Sequence, residues 1–201
     1  MRDAGLGCLL VTIARRAIVT ELAEAGSVLA ARAGPECAVA GHPALAAPGA
    51  TFVTLFRCGL LRGCIGTLEA RRPLGVDVRA NAVAAAFADP RFPPLDADEF
   101  MDALVEVSLL SAPEAMTADG EQALLDQLRP GVDGVVLEYA GRRATFLPQV
   151  WDSLGEPVEF VAELKRKAGL PIDFWSAAVN ISRYSVTKWR ESDLHSAEET
   201  S

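Results

Sequence analysis

The sequence contains few residues of the kinds that most often bind metal ions. It has two histidines, His42 and His195, and its four cysteines form no C-x-x-C pair. A structural zinc site needs four such ligands at characteristic spacings, so the sequence predicts none. The carboxylates show no spacing that singles out another metal, and we expect no cofactor. A dense disulfide scaffold is not expected at this length and cysteine count, which favours a reducing, cytoplasmic location.

Common catalytic and nucleotide-binding motifs are absent as well. There is no P-loop, G-x-G-x-x-G, H-E-x-x-H or G-x-S-x-G pattern, and no internal repeat of fixed period. The apolar run over residues 5–14 is too short to span a membrane, and Arg15 and Arg16 follow it directly. We interpret this run as the buried face of a helix, and we expect no membrane association.

Net positive charge is also lacking, because the 201 residues carry a formal net charge of −8. Such a balance argues against broad, sequence-independent binding to nucleic acid, which depends on neutralising phosphates. A local basic patch is compatible with this charge, so RNA binding stays as a third and weaker hypothesis. The residues that would carry it are Arg62, Arg71, Arg72, Arg79 and Arg91.

The length suffices for one large domain or for two small, intimate ones. We predict a single domain over residues 1–190, built from two intimate subdomains. Residues 191–201 contain four acidic side chains and no lysine or arginine. We predict that this segment forms an acidic, disordered tail.

Hydrophobic periodicity predicts both helices and strands. Helices are expected at residues 6–30, 77–88, 96–101, 121–128 and 157–168. Strands are expected at residues 51–56, 61–68, 103–110, 134–139, 143–147 and 179–189. Close spacing predicts two hairpins, which indicates an α+β fold with a mainly antiparallel sheet and flanking helices. Asp77 is expected to cap its helix, and the basic run at residues 165–167 to be a solvated helix end.

The run from Leu61 to Thr67 combines a cation, a thiol and two glycines. In a strand, Arg62 and Cys64 point to one face and Gly63 to the other. A guanidinium beside a thiol raises its reactivity, and Gly66 on the same face leaves room for a ligand or another backbone. The alternative is structural: Cys64 is a small buried residue and Arg62 closes an ion pair.

Other candidate residues lie on neighbouring elements. Glu106 and Ser108 share one face of a predicted strand, where they line a pocket with the first run or form an ordinary half-exposed face. Asp89 and Arg91 lie in a stiff, proline-rich loop, where they pair with each other or bond to backbone. His42 lies in a loop before a proline, and a surface histidine is the simpler interpretation.

Several motifs in order resemble the AMMECR-type domain family, also called AmmeMemoRadiSam system protein A. The hallmark L-R-G-C-I-G is present without departure at Leu61–Gly66. Further matching segments are Phe52–Leu55, Ala84–Phe87, Asp89–Phe92, Pro94–Leu95, Glu106–Leu110, Gly134–Val135, Leu147–Val150, Lys167–Leu170 and Trp175. The resemblance covers almost the whole chain. It implies an α+β fold with a larger and a smaller subdomain around a cleft.

The resemblance implies an association with Memo-like and radical-SAM proteins rather than a defined reaction. It also raises the weight of Arg62 and Cys64 as functional residues, by analogy. In one hypothesis the protein is an accessory or binding protein, Arg62 binds an anion or partner group, and Cys64 only packs. The residues assigned to ligand binding are Arg62, Gly63, Gly66, Ser108, Asp89 and Arg91.

In the alternative hypothesis the protein is an enzyme with Cys64 as nucleophile or redox thiol. Arg62 then stabilises the thiolate or holds an anionic substrate group. Glu106 or His42 is the proton acceptor, and Cys64 and Glu106 are the catalytic candidates. We favour the binding hypothesis because no local pattern ties a base to Cys64.

Overall fold

Two antiparallel sheets, each with its own hydrophobic core, organise the described residues. The structure is a computed structural model and describes residues 3–24 and 42–195. The chain divides into unit 1, which comprises residues 1–110 and 187–201, and unit 2, which comprises residues 111–186. The chain therefore leaves unit 1 after Leu110 and returns to it at Thr187.

The described elements are helices and strands interleaved along the chain. The helices are α1 (Ala4–Glu24), α2 (Leu74–Phe87), α3 (Ala97–Met101), α4 (Glu121–Leu125), α5 (Pro157–Lys167) and α6 (Glu191–His195). The strands are β1 (Pro48–Arg57), β2 (Leu60–Gly66), β3 (Arg72–Pro73), β4 (Ala103–Leu110), β5 (Glu114–Met116), β6 (Gly134–Tyr139), β7 (Arg142–Phe146), β8 (Asn180–Tyr184) and β9 (Val186–Arg190). Pro43–Leu45 and Pro148–Asp152 form short 3₁₀ helices.

In unit 1 the strand order is β2-β1-β4-β9, and β3 also pairs with β1. β1 is antiparallel to both β2 and β4. Alternate residues such as Val53, Leu55, Val105 and Val107 turn to one face, where they are buried in one core with apolar residues of α1 and α2. Each such burial stabilises the unit by about 1.5–3 kcal/mol. The opposite face carries the more polar residues that concern function.

In unit 2 the strand order is β5-β8-β6-β7, with antiparallel pairing throughout this sheet. Val135 and Leu137 of β6 share a core with Phe160 and Leu164 of α5. The ring of Phe160 also stacks on Trp151, with 3.8 Å between the ring centroids. This aromatic pair fixes the 3₁₀ segment against α5.

Both predicted hairpins are present, and the α+β class with antiparallel pairing is confirmed. Cys58 and Gly59 join β1 to β2, and Ala140 and Gly141 join β6 to β7. All four residues have positive φ, with 52° at Cys58 and 46° at Ala140. This is the geometry of a two-residue turn whose twist matches that of paired strands.

The prediction of one last strand over residues 179–189 is wrong. The structure divides it into β8 in the sheet of unit 2 and β9 in the sheet of unit 1. The break falls at Ser185, whose backbone N–H donates to Oγ of Ser111 and whose carbonyl accepts from the N–H of Ser111. Period-two alternation runs through the break, so the pattern alone does not separate the two strands.

The predicted boundary of the acidic tail also needs correction. Residues 191–195 form α6, and Glu191 is buried rather than solvated. Its carboxylate accepts from Arg15 at 2.9 Å and from the backbone N–H of Val105 at 3.2 Å. Residues 196–201 lie outside the described residues, as does the predicted helix beyond Glu24.

One prediction about charged helix ends is wrong, and another holds only in part. α2 begins at Leu74, so Asp77 lies inside its first turn and is buried instead of capping the helix. In the predicted solvated run, Arg166 and Lys167 are exposed at the end of α5, but Lys165 is fully buried. Its ammonium donates to Glu121 at 2.5 Å and to the carbonyl of Ile172 at 2.9 Å. These two hydrogen bonds offset the cost of burying the charge of Lys165.

Candidate recognition site

β2, which carries the hallmark run Leu61–Gly66, lies at the edge of its sheet, and side chains cover its free backbone groups. The backbone N–H of Cys64 donates to Asp89 at 2.8 Å, and Arg91 donates to the carbonyl of Cys64 at 3.2 Å. Asp89 and Arg91 also pair with each other at 2.7 Å, as the sequence suggested. The pair therefore occupies the place of a further strand and protects the edge.

The buried carboxylate of Asp89 is held in its charged form. Hydrogen bonds from Arg91 lower its pKa well below the ordinary range, and the N–H of Cys64 adds to this effect. The same contact raises the pKa of Arg91. The ion pair therefore stays closed at neutral pH.

Stability in acid is expected to depend on Asp89. Because its pKa is lower in the folded protein, the unfolded chain binds more protons as the pH falls. The contribution is complete above about pH 4, the ordinary carboxyl pKa, and is lost below it. Asp89→Asn should therefore flatten the decline in the free energy of unfolding that begins near about pH 4 and continues to about pH 2, measured by urea denaturation. The exposed Asp98→Asn should keep the wild-type decline, and an equal slope in both variants would contradict the prediction.

Arg62 lies at an irregularity in β2. Phe56 is opposite Leu61 and Leu55 is opposite Gly63, which leaves Arg62 as an extra residue without a partner on β1. Such a bulge interrupts strict alternation and redirects a side chain. The expectation that the side chains of Arg62 and Cys64 point to the same face of β2 therefore does not hold at this bulge.

The guanidinium of Arg62 is buried in a closed ion pair. It donates to Glu99 at 2.7 Å and to the carbonyl of Pro93 at 3.0 Å. This contact lowers the pKa of Glu99. Phe92 lies under the guanidinium, 5.7 Å from its ring centroid. The contacts of Arg62 match the structural alternative that the sequence left open.

The thiol of Cys64 belongs to a polar row on the open face of the sheet. Cys64 is opposite Thr54, which in turn is opposite Glu106. The hydroxyl of Thr54 donates to the thiol at 3.3 Å. Glu106 accepts two hydrogen bonds from Arg190, at 2.7 and 3.1 Å. The sheet thus brings Cys64 and Glu106 into one row with Thr54 between them.

His42, the other proposed proton acceptor, has local contacts. Its Nδ1 accepts from the backbone N–H of Ala44 at 3.3 Å, which caps the 3₁₀ helix, and its Nε2 lies 3.6 Å from Asp3. These contacts give His42 a structural role at a turn.

The two glycines of the hallmark allow close packing within unit 1. A Cβ at Gly63 would lie 2.1 Å from the backbone oxygen of Ala85 in α2, and one at Gly66 would lie 2.2 Å from the ring of Phe52. The space that the sequence suggested for a ligand at Gly66 is therefore filled by Phe52. Ser108 is buried opposite Phe52 on β4.

Several residues of this region were not found from the sequence. Glu99 and Arg190 neutralise Arg62 and Glu106 but lie far from them along the chain. Asp77 accepts from the N–H and hydroxyl of Thr51, at 2.9 and 2.7 Å. Thr67, Arg72 and Asn81 also donate to Asp77. No local spacing signals these pairs, because they form only when the strands and helices pack.

The remaining hypotheses find less support among the described residues. Within residues 3–24 and 42–195, no group of three or more His, Cys, Asp or Glu side chains could hold a metal ion. In the same ranges, no helix is both long and apolar enough to cross a membrane. Of the five arginines of the basic patch, Arg79 is exposed, and the others pair with carboxylates of Glu99, Glu69, Asp77 and Asp89.

The fold and this region define a two-unit α+β protein with L-R-G-C-I-G on an edge strand. A model of the AMMECR1 family matches residues 11–189, and the chain belongs to that family. The resemblance given by the motifs is therefore confirmed.

Relatives extend over much of the chain. Protein MJ0810 of Methanocaldococcus jannaschii is 41% identical over 133 residues, which span 65% of this chain and 66% of that protein. A Methanococcus aeolicus protein is 34% identical over 177 residues, or 80% of this chain and 87% of its own. The crystal structure of uncharacterized protein PH0010 from Pyrococcus horikoshii is similar, with a TM-score of 0.72 and 31% identity over 94% of this chain and 93% of that one.

Proposed function

We propose that this protein is an accessory binding protein that acts with Memo-like and radical-SAM proteins through the surface of unit 1 around Leu61–Gly66. The resemblance of the hallmark and its companion motifs supplies the two classes of partner. The observation that supports binding rather than independent catalysis is that the charged groups near Cys64 are already bonded to one another.

Three ion pairs carry this argument. They are Arg62–Glu99, Arg91–Asp89 and Arg190–Glu106. A nucleophilic thiol needs a proton acceptor within hydrogen-bond reach, and the Cys64 thiol instead meets two donors, the hydroxyl of Thr54 and the guanidinium of Arg91. Glu106 already accepts two hydrogen bonds from Arg190, so its carboxylate is engaged in an ion pair. These closed ion pairs support a recognition surface rather than a catalytic site.

The proposal is tested by binding measurements on the full chain. A Memo-like and a radical-SAM protein from the same genome are titrated by calorimetry against wild type, Cys64→Ser and Cys58→Ser. Cys58 is the exposed turn thiol and serves as the matched control. We expect at least one protein to bind, with the same affinity for all three forms.

Two outcomes would overturn the proposal. One is that neither protein binds the wild type. The other is that Cys64→Ser alone abolishes a turnover measured when the proteins are mixed, which would favour the enzyme with Cys64 as nucleophile or redox thiol.

A further inference from the structure

An apolar row lies on the open face of the unit 1 sheet. Phe56 is opposite Leu61 on β2 and opposite Leu104 on β4. Residues directly opposite in antiparallel strands have neighbouring side chains on the same face, so Leu61, Phe56 and Leu104 form one row. Leu61 and Leu104 are each 40% exposed, and Phe56 is half-buried. With strands about 4.8 Å apart, the row is about 10 Å wide.

Arg190 lies beside this apolar row. Its guanidinium carbon is 4.8 Å from the centroid of the Phe56 ring, which fixes the cation against the apolar surface. Its Nε and Nη2 donate to Glu106. A guanidinium has five N–H donors, and among the described residues no acceptor is bonded to Nη1 of Arg190. Donors of a partly exposed cation therefore remain for a partner.

Two ion pairs of unit 1, Arg190–Glu106 and Arg91–Asp89, expose the cation more than the carboxylate, whereas in Arg62–Glu99 the cation is the more buried group. The side-chain exposures are 44% for Arg190 and 10% for Glu106, and 52% for Arg91 and 2% for Asp89. The charge that contacts the apolar row is therefore the partly exposed guanidinium of Arg190, although the whole chain carries −8. An acidic partner is complementary to such a surface, and a basic partner is repelled by it.

We propose that the apolar row is the docking surface for a segment of a partner protein that presents apolar side chains flanked by carboxylates. This inference rests on the proposed function and specifies the chemistry of the partner. The apolar side chains of the segment bury Leu61, Phe56 and Leu104, while a carboxylate of the segment bonds to Arg190. Aromatic residues and arginine are the residue types enriched at the energetic centres of interfaces.

The first measurement uses two short synthetic peptides and the full chain. One fluorescein-labelled peptide carries leucines flanked by aspartate and glutamate, and its counterpart carries lysine at each acidic position. Fluorescence anisotropy should give an affinity about tenfold or more higher for the acidic peptide, falling as salt is raised because exposed charges are screened. Equal affinities, or binding of neither peptide, would overturn the inference.

The second measurement uses variants of the apolar row. Leu61→Glu and Leu104→Glu should each weaken the acidic peptide about tenfold, because they remove apolar contact and repel its carboxylates. Val76→Glu is the matched control, since Val76 is also exposed, at 52%, but lies on α2, which packs on the other face of the sheet. Thermal unfolding checks that all three variants are folded. Wild-type affinity in both leucine variants would overturn the inference.

The two proposals fail in different ways. If a Memo-like or radical-SAM protein binds wild type, Leu61→Glu and Leu104→Glu equally, the proposed function stands and the apolar row is rejected. If the acidic peptide needs the apolar row but neither protein binds, the docking surface stands and those partners are rejected.

Discussion

Replacing Asp77 with alanine is expected to lower the free energy of unfolding of unit 1 by about 3–5 kcal/mol. Asp77 is buried and accepts hydrogen bonds from Thr51, Thr67, Arg72 and Asn81. Alanine leaves the buried N–H of Thr51 without this acceptor, which costs about 1–3 kcal/mol, and removes the partner of the Arg72 guanidinium. Hydrogen exchange should show faster exchange of β1 amides at low denaturant.

The control for this prediction is Asp98→Ala. Asp98 is exposed in α3, so its replacement should change stability by no more than about 0.5 kcal/mol. Amides of β6 in unit 2 provide an internal reference in the same sample. Unchanged protection of β1 in Asp77→Ala would show that the network around this carboxylate does not anchor the strand.

Replacing Gly63 with alanine is expected to destabilise the protein by about 3 kcal/mol or more. The new Cβ would lie 2.1 Å from the backbone oxygen of Ala85, so α2 or β2 must move. Overpacking costs about 1–3 kcal/mol where side chains can adjust, and a backbone oxygen adjusts less. Thermal unfolding should show a Tm lower by about 6–12 °C for a chain of this size.

Gly155→Ala provides the matched control. No atom lies within 4 Å of a Cβ at Gly155, so this change should be nearly neutral. If Gly63→Ala unfolds at the wild-type temperature, close packing against α2 does not require Gly63. That result would favour the hypothesis that Gly63 belongs to a ligand-binding site.

These predictions assign most of the hallmark to the scaffold. The missing side chain at Gly63 lets α2 pack closely, and the one at Gly66 lets the ring of Phe52 pack closely. Arg62 of β2 forms an ion pair with Glu99. On the open face of the sheet, the hallmark presents the exposed Leu61 and the half-buried Cys64 to solvent. A strand fixed so firmly on one side is well suited to hold a recognition surface on the other.

Much of the local structure could be predicted from the sequence. β-branched alternation located β1 and β4, and Pro157 and Gly169 bracketed α5. The pairing of Asp89 with Arg91 was also within reach, because the two residues are neighbours in a stiff loop. These features depend on interactions across a few residues, which a single sequence displays directly.

The tertiary structure alone decided which groups meet. Arg62 pairs with Glu99 and Arg15 with Glu191 across long stretches of chain, and no periodicity encodes such pairs. One extra residue at Arg62 changes where a side chain points, although the sequence shows only a uniform strand. The sequence by itself determined the family, the hairpins and the place of the hallmark. Only packing brings the charged groups of the hallmark to their counterions and places other atoms against its glycines. The physical reason is that buried charges need partners and that protein interiors leave few voids.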